Sequence, residues 1–198
     1  MRHRLHSFFW PQSIAVLGAS PDLQRIRGRL LHHLQENGFP GRIVPVNPSY
    51  REINGLPCVP TIGEAGGEID LALIAIPAAG VAAAAEECAR AGVRNAMVIS
   101  SGFAEAGGAA AEMQAELRAV AQRTGMRVCG PNCEGYYNAL GRTATTFSPT
   151  VETKADDSRP LVSPRRLGVI AQSGGIGFAL FNRAQAAGIG ASYVISTG

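Results

Sequence analysis

The sequence predicts a doubly wound parallel α/β sheet, and three observations carry that prediction. Short apolar runs rich in β-branched residues recur as buried strands at residues 13–17, 42–46, 70–76 and 95–99. Helical patterns separate most of them. Each strand closes on small, polar or turn-forming residues. Strands alternating with helices at this spacing need right-handed βαβ crossovers, which build a parallel sheet with helices on both faces.

Residues 13–20 organise the rest. Ile14, Ala15, Val16 and Leu17 read as a fully buried strand, and Gly18 supplies a sharp turn that a side chain would obstruct. The amphipathic run that starts near Arg25 carries Ile26, Leu30, Leu31 and Leu34 on one face and stops at Gly38. Its first turn brings free amides and the positive dipole end next to Gly18-Ala19-Ser20, so an anion is expected there. Ahead of this strand, Phe8, Phe9, Trp10 and Pro11 are expected to pack as an apolar lid on the sheet edge, with Trp10 in the core.

The second strand, 42–46, ends at the turn Asn47-Pro48, and residues 50–66 form a connector. Residues 70–76 are the clearest buried strand, closed by Pro77. A helix over 82–91 stops at Gly92, and the strand over 95–99 closes on Ser100-Ser101-Gly102. A helix over 109–124 presents Met113, Leu117, Val120 and Ala121 on one face and ends at Gly125. A short fifth strand, 126–129, precedes Gly130-Pro131-Asn132-Cys133. From Tyr136 the texture changes, and residues 143–166, rich in threonine and proline without an apolar period, read as a linker or mobile loop. A strand over 167–171 then runs through Gln172-Ser173-Gly174-Gly175 into a helix from Ile176 to Ala187 and a strand over 193–195. The chain divides on this reading into a first α/β domain over 1–142, the linker over 143–166, and over 167–198 the opening βαβ unit of a second α/β domain.

Composition excludes several classes of function. At 198 residues with 46% hydrophobic and 17% charged residues, the chain can bury a substantial core. The net charge of +3 is carried by scattered arginines, with Lys154 the only lysine, and aromatics are few; no nucleic-acid surface is expected. The N-terminus is basic, but no signal-length apolar core follows it and no run reaches membrane-span length, so no membrane association and a cytoplasmic location are expected. Cys58, Cys88, Cys129 and Cys133 contain no C-x-x-C pair and fall mostly in apolar runs, the pattern of reduced core cysteines, so neither a disulfide nor a metal site is expected. All four histidines precede residue 34, which leaves none later in the chain for acid–base work.

In an open parallel sheet, ligands bind outside the carboxyl ends of the strands, near the point where strand order reverses. Here those ends together outline one crevice of small side chains and exposed amides: Gly18-Ala19-Ser20, Asn47-Pro48, Pro77, Ser100-Ser101-Gly102 and Pro131-Asn132. A dinucleotide fits poorly, because Ser20 stands where the fingerprint needs its second glycine and Asn47-Pro48 stands where a ribose-binding carboxylate is expected. A Walker loop is excluded, since no G-K-[ST] occurs. Coenzyme A is a phosphate-rich nucleotide that requires no carboxylate on its ribose.

Seven segments in order then resemble one family. They are Gly18-Ala19-Ser20, Gly38-Phe39-Pro40-Gly41, Pro45-Val46-Asn47-Pro48, Ile74-Ala75-Ile76-Pro77, Ser100 through Glu105, Gly130-Pro131-Asn132-Cys133 and Gln172-Ser173-Gly174. This set is similar to the motifs of the ADP-forming acyl-CoA synthetases, relatives of the succinyl-CoA synthetase α subunit, across essentially the whole chain. The resemblance implies a Rossmann-like CoA-binding domain, then the start of a flavodoxin-like ligase domain, with an ATP-grasp domain or subunit elsewhere in an oligomeric enzyme. Such enzymes interconvert acyl-CoA, ADP and phosphate with free acid, CoA and ATP, through an acyl phosphate and a phosphohistidine.

Carried over by position, Gly18, Ala19, Ser20 and Arg25 hold CoA phosphate, with Arg27 beside them at the helix N-terminus. Asn47, Pro48, Ile76 and Pro77 line the adenosine and pantetheine path, and Ser101, Gly102 and Asn132 lie toward the thiol end. Arg51 stands in for a lysine that the family often carries after its Asn-Pro pair, where this chain has Ser49. Ser173, Gly174 and Gly175 form a second strand-to-helix turn with unobstructed amides, and in the family the matching helix faces the phosphohistidine. That histidine falls beyond residue 198, so the chain as given is expected to bind CoA without turnover. Two other readings stay open: a regulatory CoA-binding module of a larger protein, such as an acetyltransferase fusion, and an NAD(H)-binding Rossmann domain.

Overall fold

Period-two alternation sets the packing of the first sheet. In β1 (Ser13–Leu17), Ile14 and Val16 enter one buried layer while Ala15 and Leu17 enter the layer on the opposite face. The same division recurs in β5 (Leu71–Ile74) and β6 (Asn95–Val98), with Leu71, Leu73 and Met97 on the first face and Ala72, Ile74, Ala96 and Val98 on the second. A strand buried on both faces must be covered on both. α2 (Ile26–Glu36) covers the first face; α3 (Val81–Arg90) and α4 (Ala110–Thr124) cover the second. The computed structural model describes residues 3–152 and 166–198.

With β2 (Arg42–Val46) and β7 (Arg127–Cys129), this sheet has the all-parallel order β2-β1-β5-β6-β7. It is the doubly wound, Rossmann-like architecture expected from the sequence. Pro45 is accommodated because β2 is an edge strand. The order reverses at β1, which puts the switch point between the carboxyl ends of β1 and β5. A small hairpin, β3 (Glu52–Ile53) and β4 (Leu56–Pro57), occupies the connector after β2 and returns the chain so that Val59 bridges Val46.

The last third builds a separate mixed sheet. β10 (Arg166–Ala171) and β11 (Gly190–Ser196) are parallel and joined by α5 (Gly174–Ala186). They do not extend the first sheet. β11 instead pairs antiparallel with β8 (Tyr136–Asn138), which pairs with β9 (Thr143–Ala144), giving the order β10-β11-β8-β9. Hydrogen bonding thus joins residues on both sides of position 142, where the sequence pattern changes.

Three local expectations need correction. The linker read over 143–166 begins with residues that are buried: Thr143, Ala144, Thr145, Thr146, Ser148 and Val151 are each at most 3% exposed. Their polar groups are satisfied locally, as where Thr145 Oγ1 donates to Tyr136 O and Thr146 Oγ1 accepts from the Ser148 amide. Residues 153–165 of that stretch lie outside the described residues. Trp10 is not core; it is 36% exposed, and the N-terminal helix α1 (His6–Phe9) docks through Phe8 and Phe9. Phe9 meets Tyr136 edge-on at 5.3 Å, and the Tyr136 hydroxyl donates to Phe8 O at 2.8 Å. Finally, Leu30, Leu31 and Leu34 are fully buried, but Ile26 is 44% exposed: the first turn of α2 overhangs the sheet edge and walls a cavity instead of joining the core.

Candidate functional site

Two adjoining hollows lie at the switch point. The larger, about 400 Å³, is walled by Arg25, Ile26 and Arg27 from α2, by Ala75, Ile76 and Pro77 after β5, and by Ile99, Ser100 and Ser101 after β6. The second, about 300 Å³, includes Leu17, Gly18, Val46, Asn47, Pro48, Thr61, Ile62 and Glu87. Arg27 and Ile76 line both, so together the hollows follow the carboxyl edge across β2, β1, β5 and β6.

Gly18 sets how closely this edge is packed. Its φ is +84°, and a Cβ there would lie 2.6 Å from Ala75 O and 2.8 Å from Ile76 Cγ2. Only glycine allows the chain to turn this tightly against β5. Gly28 acts similarly within α2, where a Cβ would meet Asp22 O at 2.1 Å, so the 20–25 loop lies directly on the helix. Among the described residues the amides of Ile26 and Arg27 have no acceptor, which leaves the first turn of α2 open to an anion.

The arginines differ. Arg25 Nε is held by Asp22 at 3.0 Å, and both side chains are about half exposed. Arg27 has no ion-pair partner among the described residues, is partly buried and borders both hollows. It is the better placed cation.

Several other predicted residues are engaged within the protein. Ala19 is buried, and its carbonyl accepts from Asn47 Nδ2 at 2.8 Å. Asn47 Oδ1 accepts from the Ser49 amide, so one end of this side chain orders the turn after β2 and the other pins it to the loop after β1. Ser20 is buried, and its hydroxyl oxygen accepts from the Asp22 amide. Arg51 is exposed on the β3 side and borders neither hollow. Gly102 lies beside the larger hollow without lining it, and its amide donates to Glu105 Oε1 at 2.6 Å. Burial raises the Glu105 carboxyl, but the amides of Gly102, Phe103 and Glu105 itself outweigh this and hold it below its ordinary range. Asn132 is exposed with φ +58°, and its amide donates to Ser100 O, tying the turn after β7 to the loop after β6.

Ser173, Gly174 and Gly175 open α5 at the end of β10, away from the two hollows. The Ser173 hydroxyl accepts from the Ile176 amide at 3.4 Å, an N-cap. The turn after β7 reaches this region: Gly130 donates to Thr197 O, and a Cβ on Gly198 would strike Pro131 O at 2.1 Å. A Cβ on Gly174 would lie 2.4 Å from Glu134 Oε2, so the Glu134 carboxylate rests on the first turn of α5. Sequence reading missed this residue, as it missed Thr61 and Ile62, since nothing in the linear pattern brings position 134 to position 174.

Burial raises the Glu134 carboxyl above its ordinary range, partly offset by a hydrogen bond from Ser148. A carboxyl raised in the folded state contributes stability while protonated, and that contribution is lost as pH rises through the raised value. Glu134→Gln is therefore expected to gain stability relative to the parent protein between about pH 4 and pH 7. Denaturant midpoints across that range check it; a difference independent of pH contradicts it.

Among the described residues no helix is long and apolar enough to cross a membrane, and no group of three or more His, Cys, Asp or Glu side chains could hold a metal ion.

Comparison with known proteins agrees with this architecture. The chain is 37% identical over 194 residues to the acetate–CoA ligase [ADP-forming] I of Archaeoglobus fulgidus, matching 98% of this chain and 27% of that protein. It is 36% identical to the acetate–CoA ligase [ADP-forming] I subunit alpha of Pyrococcus furiosus, matching 98% of this chain and 41% of the subunit. Among solved structures, the dinucleotide forming acetyl-coenzyme A synthetase 1 of Ca. Korarchaeum cryptofilum, in complex with phosphate and ADP, superposes with a TM-score of 0.87 at 37% identity, covering 98% of this chain and 39% of that one. The chain thus spans about a quarter to two fifths of the length of these relatives. The family model for the CoA binding domain matches residues 12–139, the span that holds all five strands of the parallel sheet, both hollows and the turn after β7, and the chain belongs to that family.

Proposed function

We propose that this chain is the CoA-binding portion of a cytoplasmic, ADP-forming acid–CoA ligase. The complete enzyme would interconvert acyl-CoA, ADP and phosphate with a carboxylic acid, CoA and ATP, working with an ATP-grasp domain or subunit in an oligomer. Residues 166–198 would open its ligase domain, and the chain alone would bind CoA without turnover.

The observation that carries this reading is the pairing of Arg27 with the open amides of Ile26 and Arg27 at the switch point. A phosphate there gains a charge-assisted hydrogen bond and the dipole of α2 together. Gly18, without a Cβ, keeps the edge narrow, while Ile76, Pro77 and Ile99 offer apolar walls for a pantetheine arm. Ser101 and the turn at Asn132 lie farther along the same edge, on the side assigned to the thiol. At the end of β2 stands Asn47, tied to Ala19 and Ser49, in the place of the carboxylate that would take the ribose hydroxyls of a dinucleotide. In the complete enzyme, the amides of Ser173, Gly174 and Gly175 would face a transferred phosphoryl group, with Glu134 as the neighbouring charge it must tolerate. The first test is calorimetric titration with CoA, NAD and ADP. CoA is expected to bind with modest affinity and NAD not at all; NAD binding without CoA binding would sink the proposal.

A further inference from the structure

One acidic side chain stands in a site otherwise suited to phosphate. Ala84 and Glu87 lie three apart on α3, so both face the hollow at the ends of β1 and β2. Val46, Pro48, Pro60, Ile62 and Ile76 give that hollow uncharged walls between which a flat ring can enter. Glu87 stands at its outer rim: the residue is exposed and, with Thr61 and Ile62, also borders a neighbouring cavity of about 480 Å³.

The other polar side chains of the hollow are already engaged. Asn47 is held by Ala19 O and by the Ser49 amide, and the Thr61 hydroxyl donates to Glu64 Oε1 at 2.9 Å. Arg27 is the cation assigned above to a phosphate. Among the described residues the Glu87 carboxylate has neither a hydrogen bond nor an ion pair, so it is the side chain left to meet a nucleoside.

An ionised carboxylate accepts hydrogen bonds and donates none. Beside a ligand that carries several phosphate charges it costs affinity, unless the ligand brings a donor to it. The nucleoside end of CoA has two donors, the 6-amino group of adenine and the ribose 2′-hydroxyl. The hydroxyl adjoins the 3′-phosphate, whose charge would repel a carboxylate placed there. The amino group sits on the far edge of an uncharged base.

Resting on the reading of this chain as the CoA-binding portion of a ligase, we propose that Glu87 sets the base specificity of the site: its carboxylate accepts from the 6-amino group of the CoA adenine. A base without that group leaves the carboxylate near the phosphates with no donor to accept from, and so binds more weakly.

The experiment is calorimetric titration of the protein, Glu87→Ala and Glu87→Gln with CoA and with an analogue in which unsubstituted purine replaces adenine. The parent protein is expected to prefer CoA by roughly tenfold, the low end for a hydrogen bond to a charged group, because the carboxylate is exposed. The ratio of the two affinities is the readout, since removing a negative charge strengthens the binding of any polyanion. In Glu87→Ala the preference is expected to vanish; Glu87→Gln, which keeps an acceptor oxygen without the charge, retains a smaller one. Equal affinity of the parent protein for the two ligands would overturn the proposal, and so would a preference undiminished in Glu87→Ala. A 2′-deoxy analogue of CoA is the third ligand: a loss of affinity that depends on Glu87 would assign the carboxylate to the ribose and overturn the assignment to the base. Where the parent protein binds CoA, these results count against Glu87 alone; absence of CoA binding would overturn the CoA reading together with it.

Discussion

Replacing Arg27 with alanine is expected to weaken CoA binding by about 1.5–3 kcal/mol, the usual worth of a hydrogen bond to a charged group, or roughly ten- to a hundred-fold in affinity. The expectation rests on its position: Arg27 borders both hollows, is partly buried, and has no ion-pair partner among the described residues to share its charge. Arg25→Ala is expected to cost less, because Asp22 already holds Arg25 Nε at 3.0 Å and the side chain is 60% exposed, where an ion pair is worth little. Calorimetry on both single variants and the double variant checks the order. Unchanged affinity in the double variant would show that both arginines are solvated surface charges and that the phosphate lies elsewhere.

Gly18→Ala is the substitution expected to do most damage to the fold and the site together. At φ +84° an L side chain costs about 1–2 kcal/mol, and overpacking adds about 1–3 more, since the new methyl would stand 2.6 Å from a backbone carbonyl that cannot turn aside. The sum, about 2–5 kcal/mol, is a large share of the stability of a domain this size. Gly125→Ala provides the comparison. That glycine also has a positive φ, +70°, at the end of α4, but nothing lies within 4 Å of its Cβ position, so only the conformational cost of about 1–2 kcal/mol applies. Urea unfolding of both variants separates the two contributions. Equal losses would mean that β1 and β5 can move apart at their carboxyl ends, and the narrow edge would then not be a constraint on the ligand.

The sequence by itself determined the strand and helix order of the five-stranded sheet, its parallel class and the two glycine-bearing turns. Those properties are local: β-branched runs buried on both faces, helical spacing of Leu30, Leu31 and Leu34, and glycines at positive φ each leave their mark within a few residues. The ordered set of motifs pointed to CoA for the same reason, because the loops that close the strands are contiguous segments.

What the tertiary structure decided is everything that depends on which distant segments meet. It paired β8 with β11, and so buried Thr145 and Thr146 where composition alone reads as a linker. It engaged Asn47 with Ala19, partnered Arg25 while leaving Arg27 open, and laid Glu134 on the first turn of α5. A buried polar residue is stable only through its partners, and a side chain is free for a ligand only when no neighbour already satisfies it. Neither condition is written at the residue itself; both arise when the chain closes and brings sequence-distant groups within hydrogen-bond reach.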